Sequence, residues 1–356
     1  MQLRSWISWT IPHDRRKKMN PITIIGGGLA GLSLGIALRR REIAVTLYEA
    51  GTFPRHKVCG EFIAGIKPET LNKLGISGCL EDACHHRKTA WFLHNRQVRE
   101  DLLPAPVLGI SRFTLDDRLA KEFVRLGGTL HTHHRVRHAS GGEGLVWTAG
   151  RQLTKTTWIG IKLHSFDYSL ESDLEVHLGN YGYAGASSVE NGHINICGLF
   201  RCRPYIREKK QGLLLAYLEA CGMNKMANKL SNSRIDLKSS TGVAAIDFNH
   251  SHQAHDKIYL GDQFTVIPPF TGNGMTMAFE AGVLAAEPIA AYASEKLSWS
   301  ETVNSVNWLI RQKFRLRLII SRLMHPWLYT PSLQHILSGL NRTHLLPFQI
   351  LFKVLH

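Results

Sequence analysis

The run Ile22-Thr-Ile-Ile25-Gly26-Gly-Gly28-Leu29-Ala30-Gly31 constrains this chain more than any other segment. Its first four residues read as a short buried strand of a parallel sheet. Three glycines break the strand, and Leu29–Arg41 carries apolar residues at helical spacing. Ala44–Tyr48 reads as a second strand, ending at Glu49. The spacing therefore predicts a strand–turn–helix–strand unit and an α/β fold of Rossmann type. In such a unit Gly26 permits the tight turn, Gly28 lets a pyrophosphate approach the backbone, and Gly31 lets the helix pack on the sheet. The helix start at Leu29 and Ala30 offers N–H groups and positive partial charge to phosphates. Glu49 stands where a carboxylate accepts ribose hydroxyls. The ligand class is a dinucleotide.

Two further segments discriminate between dinucleotides. Tyr259–Ala278 contains a strand ending in Gly261-Asp262, which puts a carboxylate within reach of a ribitol hydroxyl. The turn Pro269-Phe-Thr-Gly272-Asn273-Gly274 then leads through Met275 into an alanine-rich helix. The N-terminus of that helix can face a flavin pyrimidine edge and stabilise negative charge there. Ile110–Leu119 places Arg112 at a strand–helix junction, where it can clamp phosphate. FAD is the expected cofactor, with NAD(P)H as a candidate electron donor. No second G-x-G-x-x-G serves that donor.

These segments, in this order, resemble the p-hydroxybenzoate hydroxylase-like flavoproteins between about Ile22 and Ala293. The resemblance implies an FAD-binding domain of the glutathione reductase/p-hydroxybenzoate hydroxylase type, with an interleaved substrate domain built on a β-sheet. Arg55-His-Lys57-Val-Cys59-Gly-Glu61-Phe resembles the K-x-C-G-G/E signature of the geranylgeranyl reductase-like branch, and Trp158–His164 resembles its W-x-G-x-K-x-H stretch. Within that branch Cys59 and Glu61 are the candidates for a chemical role, with Arg55 and Lys57 near phosphate. A structural cysteine in a supporting loop is the competing reading. One departure concerns Trp147-Thr-Ala-Gly150-Arg, which is compressed and lacks the Asp or Ser expected there. The middle of the FAD domain is therefore expected to be abbreviated.

The implied organisation is an N-terminal appendage at 1–18, an FAD domain from 19–165 and 255–295, a substrate domain at 166–254, and basic C-terminal helices at 296–356. Met19 offers an alternative start just before the first strand. The 43 Lys+Arg exceed the 28 Asp+Glu, for a net charge of +15. That excess favours anionic surroundings, but no nucleic-acid-binding module is recognisable. No apolar run reaches the roughly 18–20 residues that span a bilayer. The six cysteines form no C-x-x-C pair, which suits free thiols in a reducing cytoplasm. His131, His133, His134 and His138 read as polar surface.

Three activities remain open on these residues. A reductase would pass an electron pair to a hydrophobic, polyprenyl or polyketide-like small molecule. A monooxygenase would hydroxylate an aromatic or polyketide ring. A non-catalytic flavoprotein would sit at a membrane surface. Glu301–His356 has seven Lys/Arg and one acid among Leu, Ile, Phe and Trp. It is a candidate for peripheral contact with the inner face of the membrane, although Lys313 and Arg317 fall opposite Arg311, Arg315 and Arg322 at helical spacing.

Overall fold

A computed structural model describes residues 19–137, 142–151, 154–208, 212–249 and 256–342, with 352, 354 and 355. The appendage at 1–18 and His138 lie outside the described residues, as do parts of the two polar loops near 140 and 252.

Two sheets organise the molecule. The first has five parallel strands in the order Ile258–Tyr259, Leu145–Trp147, Ile22–Ile25, Val45–Tyr48, Thr129–His131. Ile22, Ile24 and Ile25 are buried because this strand is central and covered on both faces. The helix Leu29–Arg39 is buried from Leu29 to Leu38, lying between the sheet and the helices Arg112–Arg125 and Asn273–Ala293. Such a helix must be apolar all round, and it is.

The compressed segment is complete in the one respect that matters. Leu145–Trp147 forms the parallel strand beside Ile22–Ile25, and the next residue locks the glycine turn. Thr148 N–H donates to the Ile25 carbonyl at 2.7 Å, and its hydroxyl donates to the Gly26 carbonyl at 2.6 Å. The segment is short because it passes directly from strand to turn.

The second sheet has eight strands in the order 235–244, 158–165, 194–201, 182–188, 174–179, 84–93, 96–109, 62–63. All neighbours are antiparallel except 84–93 against 174–179. Strands before residue 165 thus belong to it, and the chain enters it twice before the expected domain boundary. One face is covered by the helices Leu213–Ala220 and Asn224–Ser231, packed on Ile161, Leu163, Ala184, Ile196 and Phe200. The other face looks toward the nucleotide half.

The helix Trp299–Tyr329 begins at a Ser298/Glu301 capping box and runs for 31 residues. It packs on Asn273–Ala293 and reaches strands of both sheets, and Pro331–Arg342 follows it. Among the described residues no helix is long and apolar enough to cross a membrane.

Candidate flavin site

The glycine turn separates two demands. Gly26 has φ +110°, and a Cβ there would stand 2.3 Å from the Thr148 carbonyl oxygen. A Cβ on Gly31 would stand 2.2 Å from the Gly26 carbonyl oxygen. The protein itself requires both glycines. Gly28 is different: a Cβ there would meet nothing within 4 Å. That empty space opens at the start of the helix, where the N–H groups of Leu29 and Ala30 have no preceding turn to bond. Glu49 is buried beside it. One carboxylate oxygen accepts from Gly27 N–H at 2.8 Å, and the other accepts from Gly51 N–H at 2.7 Å and Arg55 Nη2 at 2.9 Å. The remaining lone pairs can accept ribose hydroxyls. Arg55 Nε is buried without a protein partner.

At the other end of the cleft, Gly261 and Gly272 adopt φ of +59° and +68°. These left-handed positions bring the loop around Asp262, Pro269, Gly274 and Met275 against a cavity of about 200 Å³. Asp262 is exposed, but into this cavity rather than at the outer surface. Enclosure by the cavity walls pushes its carboxyl up, against the pull of Arg112, Arg151 and Lys57. Asn273, the first residue of the following helix, is fully buried, and neither its Oδ1 nor its Nδ2 has a hydrogen-bond partner. Its amide lies behind the cavity wall, since Gly272, Gly274 and Met275 line the cavity and Asn273 does not. The open space at Gly28 and the Asp262 carboxylate facing the cavity make the residues present fit FAD.

The remaining basic candidates are turned inward. Arg112 Nε and Lys57 Nζ both lie 2.7 Å from the buried Asp116 carboxylate. Burial opposes ionisation of Asp116, yet the two cations hold its carboxyl below the ordinary range. Arg112 also shifts upward against its own burial, chiefly through Asp116. The two cations thus form a fixed positive wall beside Asp262.

The Cys-Gly-Glu motif divides. Cys59 lines the cavity, its sulfur accepting from Glu61 N–H at 3.4 Å, and burial pushes its thiol up. Glu61 lies behind that wall, fully buried at φ +56°. Its carboxylate meets Lys162 Nζ at 3.0 Å, His164 Nε2 at 2.6 Å and Arg112 N–H at 2.9 Å. Burial works against its charge, but His164 and Lys162 outweigh it and hold the carboxyl low. His56 Nδ1 lies 3.1 Å from Lys162 Nζ. Burial and the Lys162 charge lower His56 to about 4. The K-x-H stretch of strand 158–165 therefore gives Glu61 a counter-ion in Lys162 and a hydrogen-bond partner in His164, since residues two apart on a strand share a face. The alternation of Gly160, Lys162 and His164 was the signal for this pairing.

Sequence reasoning missed a second feature. Tyr183 lines the cavity, and its hydroxyl lies 3.2 Å from His325 Nε2 on the long C-terminal helix. His325 packs among Trp158, Phe248 and Tyr329, with ring centroids 4.9–5.2 Å away. Burial and then Arg201 lower it to about 3, so it is neutral at pH 7. It also lines a polar outer cleft of about 360 Å³ with Lys155, Arg201 and Arg322. No spacing rule links residues 183 and 325.

Beyond Phe62 and Phe270 the cavity adjoins a second chamber of about 140 Å³. Trp91, Leu93, Val107 and Leu178 line it from the antiparallel sheet, and Leu328 and Leu337 from the C-terminal helices. At the other end of the molecule, His131 and His134 pack on Tyr48 at the exposed edge of the parallel sheet.

Residues 24–58 match the model of the NAD(P)-binding Rossmann-like domain. The chain is similar to conditioned medium factor receptor 1 of Dictyostelium discoideum, at 28% identity over 142 residues, covering 36% of this chain and 28% of that protein. The match therefore spans under a third of that relative's length. Menaquinone reductase of Mycobacterium tuberculosis is 23% identical over 317 residues, covering 75% of each chain. Among solved structures, p-nitrophenol 4-monooxygenase PnpA of Pseudomonas putida superposes with a TM-score of 0.73 at 13% identity, covering 95% of this chain and 96% of that one. HpxO of Klebsiella pneumoniae, solved with FAD and uric acid, superposes at 0.72 and 14% identity, covering 94% and 95%. The chain therefore has the fold of these flavoprotein monooxygenases, and its glycine turn, Glu49 and the Gly261-Asp262 loop form a site whose residues fit FAD.

Proposed function

We propose that this protein reduces a hydrophobic, extended small molecule of polyprenyl type with FAD as cofactor. The observation that carries the reading is the pair of adjoining cavities, in which a chamber bordered by Asp262, Cys59 and Tyr183 continues past Phe62 and Phe270 into a more apolar one. An extended apolar chain would seat its body in the second chamber and present one reactive bond in the first. When bound, reduced FAD supplies the electron pair, drawn from NAD(P)H or another donor. Tyr183 Oη holds a proton over the cavity, and burial keeps its pKa well above the ordinary phenol value. A neutral His325 can relay a proton back to Tyr183, donating from Nε2 as its other ring nitrogen takes a proton from water in the outer cleft. Cys59 sets the polarity of the wall. Glu61 is a positioning residue: its bonds to Lys162, His164 and the Arg112 N–H hold the Cys59-Gly60 turn in place. The similarity to menaquinone reductase over three quarters of each chain accords with a lipid-like substrate.

A second reading is hydroxylation, favoured by the superposition on p-nitrophenol 4-monooxygenase along nearly the whole chain. Both are tested on FAD-loaded protein with a short-chain polyprenyl substrate and with phenols. Anaerobic saturation of a double bond supports the reductase. Turnover that needs oxygen and adds a hydroxyl to a ring overturns it in favour of the monooxygenase.

A further inference from the structure

The helix Trp299–Tyr329 carries apolar side chains on two sides. Inward, Val306, Ile310 and Phe314 pack in the core, while Met324 and Leu328 wall the apolar chamber. Outward, Trp308, Leu316, Ile319 and Leu323 are exposed, Trp308 by 60% and Leu323 by 69%. At helical spacing these four fall within an arc of roughly 80°. Exposed Arg311 and Arg315 border one side of the arc and exposed Lys313 the other. Lys313 approaches Glu280 at 3.4 Å, whereas Arg311 and Arg315 have no ion-pair partner among the described residues.

Of the two residues that blurred this pattern in the sequence, Lys313 stays exposed at the edge of the arc and Arg317 is turned inward, while Arg322 is half-buried. Arg317 is buried on Glu280 at 2.7 Å, and Arg322 donates to the Phe248 carbonyl at 2.7 Å and to Thr265 Oγ1 at 3.0 Å. What remains outside is a mainly apolar stripe, interrupted by Gln312, led by a tryptophan and edged with cations. Helices of this composition lie in the plane of a membrane interface, where tryptophan is favoured and anionic headgroups attract the cations. A second copy of the chain is a poorer partner, because it would set Arg311 and Arg315 near their own counterparts. The net charge of +15 adds to the attraction.

We propose that the outer face of Trp299–Tyr329 docks on an anionic lipid bilayer, which places the apolar chamber one helix thickness, about 10 Å, from the lipid. The inference leans on the proposed reductase only for the benefit of that placement, since lipid-borne substrate would then have a short way to the chamber.

The test is co-sedimentation of FAD-loaded protein with vesicles of phosphatidylcholine alone and of phosphatidylcholine with phosphatidylglycerol. Wild type should pellet with the anionic vesicles, and brominated lipids should quench part of its tryptophan emission. R311Q/R315Q should weaken binding about thirtyfold at low salt. W308S/L323Q should remain in the supernatant at about 0.15 M salt while keeping its FAD and far-ultraviolet spectrum. Should that variant misfold, Trp308→Phe in otherwise intact protein should remove most of the bromolipid quenching. Three results would overturn the proposal: wild type that ignores anionic vesicles, W308S/L323Q that pellets as fully as wild type, or a wild-type dimer without vesicle binding that W308S/L323Q abolishes. Vesicle binding by a protein that saturates no double bond would sink the reductase reading and leave this one standing. Saturation of a detergent-dispersed substrate without vesicle binding would do the reverse.

Discussion

The two sheets are specified by different kinds of information. The five parallel strands meet at a turn whose glycines are set by contacts under 3 Å, so the sequence around residues 22–49 leaves little freedom. The eight-stranded sheet is held by cross-strand pairing and burial, to which many sequences can conform. Binding of the invariant part of the cofactor is thus local in the chain, while the surroundings of the reacting ring are assembled from distant segments. Glu61 illustrates the second case: its partners come from residues 112, 162 and 164.

The largest expected effect breaks that assembled half. Lys162→Met leaves a fully buried carboxylate without its cation and should cost about 3–5 kcal/mol in urea denaturation, with part recovered in Lys162→Met/Glu61→Gln. Unchanged stability would mean that the network is not formed in solution. Next, Tyr183→Phe should retain FAD and fold but lower turnover about a hundredfold, as loss of a proton donor does. Full activity in this variant would assign the proton to another group.

The comparison sharpens at the glycine turn. Gly31→Ala forces a methyl against the Gly26 carbonyl and should cost about 1–3 kcal/mol together with FAD binding. Gly28→Ala meets no protein atom, so it should cost less than about 1 kcal/mol in stability while weakening FAD about tenfold. Equal losses of stability in the two variants would contradict the assignment of the Gly28 space to ligand. The last comparison concerns His325 and is read as a slope with pH. Its folded value of about 3 lies below the ordinary 6.5, so between these values the unfolded chain binds a proton that the folded chain does not. Stability is full above pH 6.5 and falls as pH drops toward 3, by up to about 1.4 kcal/mol per unit. His325→Phe should flatten that slope, measured as denaturation midpoints against pH; His56, lowered to about 4, and His86, also lowered by burial, add to it with the same sign, as do the depressed carboxyls of Glu61 and Asp116.

The same division explains what could be read in the sequence. Gly26, Gly31, Glu49 and the Gly261-Asp262 loop carry local signatures, and the fold brings them to one cleft. The segment around Gly150 looked deficient because a motif comparison looks for an Asp or Ser, whereas Thr148 secures the turn with its own hydroxyl. Strand 182–188 went unread because burial on both faces and its two glycines erase alternation, whereas 84–93 and 96–109 carry many exposed polar residues and pair with register shifts, so no clean alternation survives there. Tyr183 and His325 are 142 residues apart and meet only because the long helix crosses the sheet. The amphipathic outer face of that helix was hidden in the sequence because Arg317, which falls opposite Arg311 and Arg315, is a basic residue turned inward onto Glu280.

The most direct test is the visible spectrum of purified protein after incubation with FAD and removal of unbound cofactor. The account predicts an equimolar, protein-bound yellow flavin whose binding is weakened by Gly28→Ala. A colourless protein that remains folded would contradict it.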